Sequence, residues 1–295
     1  MPSLEEMRFG IEIEFDAPKN FQFDRLGQEL FEAKLVKEPF LMGYHASHID
    51  SLYHHQRGWR YEEEHTTTGA EVISPFILST EETWNNVEKV INLIHSYGGH
   101  CKTRDSGLHV HVTDEYLGRD MFLWQNLFSF LVHYEDILFR LAANPARGKH
   151  RKNKHTQPLP ITNGKDRHVL PYLMNYSKKH FYVNTHNVKL ASRQSGRVEF
   201  KIWDATLDSE LIELQTKITL AIIRLAADRG FAAEAPPARL GHYYANPEDF
   251  GSHILDEFLL NVFPLKSELD MRKQAEKLFY ANSWVDAYKS NKLAA

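Results

Sequence analysis

Ser106-Gly107-Leu108-His109-Val110-His111-Val112 alternates aliphatic residues with two histidines, and its reading decides the fold. In an extended strand successive side chains point to opposite faces. Leu108, Val110 and Val112 therefore share one face, and His109 and His111 share the other. The aliphatic face belongs in a core. The imidazole face offers two nitrogen ligands or donors, which a strand that only fills a sheet does not need.

Two segments on either side repeat the design with carboxylates. Phe9-Gly10-Ile11-Glu12-Ile13-Glu14-Phe15 sets Phe9, Ile11, Ile13 and Phe15 against Glu12 and Glu14. Arg197-Val198-Glu199-Phe200-Lys201-Ile202 buries Val198, Phe200 and Ile202 and presents Arg197, Glu199 and Lys201. Trp59-Arg60-Tyr61-Glu62-Glu63-Glu64, a turn through Thr66 to Gly69, and Ala70-Glu71-Val72-Ile73-Ser74 predict a hairpin with carboxylates at its turn. Phe181-Tyr182-Val183-Asn184 reads as a further strand. Its Tyr182 and Asn184 serve either a site wall or sheet-edge hydrogen bonds.

Helices fill the intervals. Residues 24–36 predict an amphipathic helix with Leu26, Leu30, Phe31 and Leu35 inward. Ser79 with Glu82 forms a capping box opening a helix to about Ser96, closed by Gly98-Gly99. Residues 119–143 are apolar almost all round and predict one long buried helix, with Phe122, Leu123, Phe128 and Leu131 in the core. Asp208 caps a helix over 209–228. Strands and helices mix without regular alternation, and no glycine-rich phosphate loop follows a strand. The expected fold class is α+β: an antiparallel sheet with helices on its back and a charged front. Residues 1–230 form that domain, and 231–295 a linker (Ala232 to Pro237) and a helical C-terminal extension packed on it.

Two loops stand apart. Residues 37–58 hold many aromatics and histidines, and read as a solvated loop, a lid or a second metal cluster. Residues 145–170 are basic, with Arg147 among seven cations, and read as a solvated loop or a clamp for a carboxylate or phosphate.

Bulk composition narrows the function. The net charge of −4 argues against general nucleic-acid binding. The single cysteine, Cys101, excludes an internal disulfide framework and fits a reducing compartment. The first residues lack an apolar signal region, and no run reaches bilayer length, so a cytoplasmic protein with no membrane partner is expected.

Glu12, Glu14, Glu71 and Glu199 would repel one another as bare anions on one small surface; a cation compensates them. His109 adds nitrogen, giving a mixed set for at least two ions. Hard cations such as Mg²⁺ take oxygen ligands and keep substrate phosphates in their shell. Lys201 shares the face of Glu199 and is placed to contact a transferred phosphoryl group.

The motifs around Glu12/Glu14, Glu71, His109/His111 and Glu199/Lys201, in this order, resemble those of the putative amidoligase family. That family is grouped with glutamine synthetase and glutamate–cysteine ligase among the carboxylate–amine ligases, and the resemblance spans about residues 8 to 228. It implies an antiparallel half-barrel of glutamine synthetase type with helices on its convex side, binding ATP and two or three Mg²⁺ or Mn²⁺ ions. The implied reaction makes an amide through an acyl phosphate, from a small-molecule, peptide or protein carboxylate and an amine. Glu12, His109 and Glu199 would hold the metal on the nucleotide phosphates, and Glu14 and Glu71 the metal near the substrate carboxylate. His111 would contact ATP phosphate, as would Lys201, with Lys201 and Glu199 the catalytic pair. Lys201 stands where the family has arginine, and Glu64-His65-Thr66 replaces its usual turn; Glu64 is the expected ligand there, with Glu63 as substitute. Arg104, Arg147, Tyr182 and Asn184 are the candidate substrate contacts. A metal-dependent hydrolase and a nucleotide-binding protein without catalysis are the alternatives, and oligomeric state is left open.

Overall fold

In the computed structural model, residues 2–44, 58–102, 106–144, 159, 181–188, 196–228 and 247–282 are described, those of 247–253 by their helix alone. The helix–sheet mixture and the antiparallel pairing agree with the α+β expectation. Strand β1 (Arg8–Phe15) shows why. Phe9, Ile11, Ile13 and Phe15 are all at most 1% exposed on its back, which leaves Gly10, Glu12 and Glu14 on the front. It pairs antiparallel with β3 (Ala70–Ile73), β4 (Ile77–Leu78) and β5 (Gly107–Thr113). With β2 (Arg60–Glu63), β6 (Val183–Asn184) and β7 (Arg197–Asp204) the sheet runs β2-β3-β1-β5-β7-β6, and β4 joins β1 off that path. The sheet is not closed: β2 and β6 are its ends.

The helices are α1 (Phe23–Glu32), α2 (Glu81–Ser96), α3 (Met121–His133), α4 (Glu135–Ala142) and α5 (Ser209–Ala227). The sheet's back and these helices share one core, in which Val110, Val112, Phe200 and Ile202 join Leu127, Leu131, Ile218 and Ile222. Asp208 caps α5, its Oδ1 accepting from Glu210 N at 3.0 Å and Leu211 N at 3.2 Å.

Several local expectations shift. Helix α1 ends early because Lys34 adopts φ +60, a left-handed conformation that stops a helix. Leu35 still reaches the core, but Phe31 is 42% exposed. Helix α2 begins one residue late: Thr80, not Ser79, is the cap, its hydroxyl accepting from Thr83 N. Ser79 instead accepts from the Trp84 indole. At the other end Gly98 takes φ +86, as a closing glycine should. The single helix expected over 119–143 is two, broken at Tyr134. The Tyr134 hydroxyl donates to Glu257 at 2.7 Å and accepts from Asn261 at 3.0 Å. Phe122 is exposed on the first turn of α3, contrary to the core expectation, whereas Leu123, Phe128 and Leu131 are buried.

Two C-terminal helices, α6 (Pro247–Val262) and α7 (Leu269–Ala281), pack on this layer. Arg224 pairs with Glu268 at 2.7 Å. Arg140 donates to Phe279 O at 2.7 Å and lies 4.0 Å over the Phe279 ring, while Asn282 reaches back to Arg140 O and Ala143 O. Phe279 is fully buried. Phe279→Ala is expected to cost about 3–5 kcal/mol of stability, as large-to-small core changes of this kind do; a urea melt reads it, and a loss under about 1 kcal/mol contradicts a shared core. Among the described residues no helix is long and apolar enough to cross a membrane.

Candidate metal centre

Directly opposed residues in an antiparallel pair share a face, so the register brings the front-facing groups into rows. One row is Glu62, Glu71 and Glu14, through Glu62↔Glu71 and Glu14↔Glu71. A second is Glu12 opposite His109. A third is Gly10, His111, Glu199 and Asn184. A β-bulge adjusts the last two rows. Leu108 faces Trp203 and Val110 faces Phe200, so His109 stands against both Lys201 and Ile202. Bulges re-aim side chains, and this one resets the alternation so that Ile202 and Trp203 are both buried.

The contacts are close. His109 Nδ1 lies 2.8 Å from Glu12 Oε2 and 3.6 Å from Glu199 Oε1, and His109 Nε2 lies 3.3 Å from Glu14 Oε1. His111 Nε2 is 2.9 Å from Glu12 Oε1, and Lys201 Nζ is 2.9 Å from Glu199 Oε1. Gly107 N donates to Glu14 Oε2 at 2.6 Å, and Asn184 Nδ2 to Glu199 Oε2 at 2.7 Å. Glu64 Oε1 accepts from Thr66 N at 2.8 Å, which folds the hairpin turn around that carboxylate.

Among the described residues two groups of three donor residues each bring their ligand atoms within 4.8 Å of one another: Glu12, His109 and Glu199, and Glu14, Glu64 and Glu71. Opposite ligands of an octahedral Mg²⁺ are about 4.2 Å apart, so either group reaches one ion with little movement. The donor chemistry also fits, being oxygen throughout the second group and oxygen with one imidazole in the first. His111 Nδ1 is buried with no hydrogen-bond partner among the described residues, a costly state that a bound partner would relieve.

The two groups differ in electrostatics. Burial pushes the Glu12 carboxyl up, but His111 and His109 outweigh it and hold the group well below the usual range. Burial likewise raises Glu199, yet Lys201 and His111 bring it down to about 2. Lys201 loses some basicity to burial and regains more from Glu199, for a net rise. Glu71 goes the other way, pushed well above the usual range by burial and then by Glu12, Glu14, Glu64 and Glu62. Lys201 and the imidazoles offset part of the first group's charge. The second group has an excess of negative charge that a cation would offset.

The expected residues are placed as follows. Glu12, Glu14, Glu64, Glu71, His109 and Glu199 come together in the two groups, with His111 and Lys201 against Glu12 and Glu199. Asn184 meets Glu199. Tyr182 is not at the site wall; its hydroxyl donates to Leu131 O at 3.0 Å and its ring packs edge-on to Phe139. It sits in a bend just ahead of β6, where strict alternation does not hold. Glu63 is exposed, so Glu64 occupies the position for which Glu63 stood as substitute. Arg104 and Arg147 lie outside the described residues. Glu62 was not anticipated: 1% exposed, it stands opposite Glu71 and 3.4 Å from Arg60. The buried Tyr61 beside it was the available signal, since it forces Arg60 and Glu62 to the front.

The molecule is thus an α+β protein with an open antiparallel sheet and two candidate divalent-cation groups on its front. No family model matches the chain, and no curated protein matches it. Among solved structures it is similar to one described as "Crystal structure of the complex between Prokaryotic Ubiquitin-like Protein Pup and its Ligase PafA". That likeness has 15% identity and a TM-score of 0.42, covering 98% of this chain and 64% of the other. This chain spans just under two thirds of that one's length, and a likeness so distant assigns no activity.

Proposed function

We propose that this protein is an ATP-dependent carboxylate–amine ligase with the open sheet as its half-barrel. The observation that carries the reading is the pair of three-ligand groups, side by side on one sheet face, flanked by a lysine and an imidazole. Two neighbouring cation positions, one partly offset by a lysine and one strongly acidic, suit a nucleotide phosphate tail beside a second anionic substrate.

Glu12, His109 and Glu199 would hold the ion on the nucleotide phosphates, and Glu14, Glu64 and Glu71 the ion near the substrate carboxylate. Bound there, Mg²⁺ or Mn²⁺ supplies charge neutralisation and alignment of the transferred group. Lys201 adds a positive charge on the same side, compact and singly pointed where arginine would grip with two parallel bonds. His111 contributes a nitrogen toward phosphate. A carboxylate oxygen attacks the terminal phosphorus, ADP leaves, and an acyl phosphate forms. The amine then attacks the acyl carbon, the C–O bond to phosphate breaks, inorganic phosphate leaves with the proton shed by the nitrogen, and the amide remains. Holding both substrates on one face is what converts this into an effectively unimolecular sequence.

The test is incubation with ATP, Mg²⁺ and pools of amino acids, peptides and polyamines, following ADP and phosphate. ADP release that needs both a carboxylate and an amine is expected. Metal-dependent hydrolysis without ATP, or nucleotide binding with no turnover across all pools, would overturn the proposal.

A further inference from the structure

Asn184 is one of the two residues of β6 and is 4% exposed. Its Nδ2 donates to Glu199 Oε2 at 2.7 Å, and its Oδ1 accepts from His186 N at 2.9 Å. The second bond settles the first. A backbone N–H can be met only by the amide oxygen, so the NH₂ group must turn toward Glu199. Glu199 Oε1 meanwhile meets Lys201 Nζ at 2.9 Å and lies 3.6 Å from His109. The carboxylate is thus held from two sides, Oε2 by a neutral donor and Oε1 by an ammonium.

These two holds differ in kind. Lys201 is a charged competitor for the same oxygen that a cation would take. Asn184 occupies the other oxygen and leaves Oε1 turned toward Glu12 and His109. Strand β6 is built to do this, since Val183 opposite Phe200 anchors it in the core and Asn184 opposite Glu199 carries the bond.

We propose that Asn184 is a positioning residue, orienting Glu199 so that the Glu12–His109–Glu199 group closes around its ion. This rests on the reading of that group as a cation site. It replaces the expected role of Asn184 as a substrate contact. Aspartate would meet His186 equally well but set acceptor against acceptor at Glu199. Leucine would fill the space and leave Oε2 without a donor, free to rotate toward Lys201. Asn184 makes no bond to Glu14, Glu64 or Glu71, so its effect should fall on one group and spare the other.

The experiment is a Mn²⁺ titration followed by electron paramagnetic resonance, with a non-hydrolysable ATP analogue present. It compares the full chain with Asn184→Leu and Asn184→Asp. Each is repeated in a Glu71→Gln background to silence the second group, and thermal melts run alongside. Loss of an outer partner of a metal ligand costs about 10–100-fold in affinity, and that weakening is expected at one site only, with melting near wild type. The isosteric aspartate keeps the test alive should the leucine variant not fold. Unchanged affinity in Asn184→Leu, tighter Mn²⁺ in Asn184→Asp, or equal weakening of both sites with a lowered melt would each overturn the positioning role. Absence of Mn²⁺ binding in the wild-type chain would instead overturn the reading of the site itself.

Discussion

Glu199→Gln is expected to cut amide-forming turnover by about 10³-fold, since an ion's charge stabilisation amounts to several kcal/mol. The amide keeps the shape and both heavy-atom positions of the carboxylate. It retains a neutral acceptor for one neighbour but loses the negative charge that Lys201 and the histidines favour, which brings the carboxyl pKa down to about 2. Three partners then face a neutral group: Asn184, Lys201 and, at longer range, His109. The fold should survive this but lose stability, because a carboxyl brought down to about 2 favours the folded state at neutral pH and Lys201 is left facing a neutral group. A native circular dichroism spectrum with a lowered melting temperature, together with the lost turnover, is the expected pair of results. Turnover within tenfold of wild type would show that Glu199 holds nothing essential.

Glu71→Gln is expected to do something opposite to the metal-free protein. Glu71 is 4% exposed and stands among Glu12, Glu14, Glu62 and Glu64. Two charges 4 Å apart interact by about 4 kcal/mol at an effective dielectric near 20. Protonation of Glu71 already relieves part of this, so the variant should gain only about 1–2 kcal/mol. For a chain of this size that is a rise of roughly 2–8 °C in melting temperature in EDTA. Added Mg²⁺ or Mn²⁺ should then raise the wild-type melt strongly and the variant much less, because an ion that binds only the folded state stabilises it by mass action. A variant less stable than wild type in EDTA would mean that the carboxylates are not in mutual repulsion.

Much of the sheet face was legible in the chain. Glu12, Glu14, Glu71, His109, His111 and Glu199 each sit between apolar neighbours, so a period of two sends them forward without further information. Where the pattern carries no such punctuation, the reading falters. Glu62, Glu63 and Glu64 are three acids in a row, and only the burial of Tyr61 tells which of them faces Glu71. The bulge beside Lys201 leaves no mark, because Val198, Phe200 and Ile202 alternate straight through it. Tyr182 departs from the face of Asn184 because a bend separates them, a property of backbone and not of residue type. The helix break at Tyr134 has neither proline nor glycine to announce it. Phe31 and Phe122 are exposed because helix ends allow what a periodic pattern forbids in the middle.

The sheet order has a kinetic corollary. Glu12, His109 and Glu199 hang from β1, β5 and β7, whose mutual pairings span long stretches of chain, with the hairpin and α2 lying between β1 and β5. Pairings of such long sequence separation are slow to form, since loop closure precedes any reward. An ion held by Glu12, His109 and Glu199 would therefore load only after β1, β5 and β7 have met, late in assembly. During refolding, Mn²⁺ uptake should lag behind the recovery of helical signal.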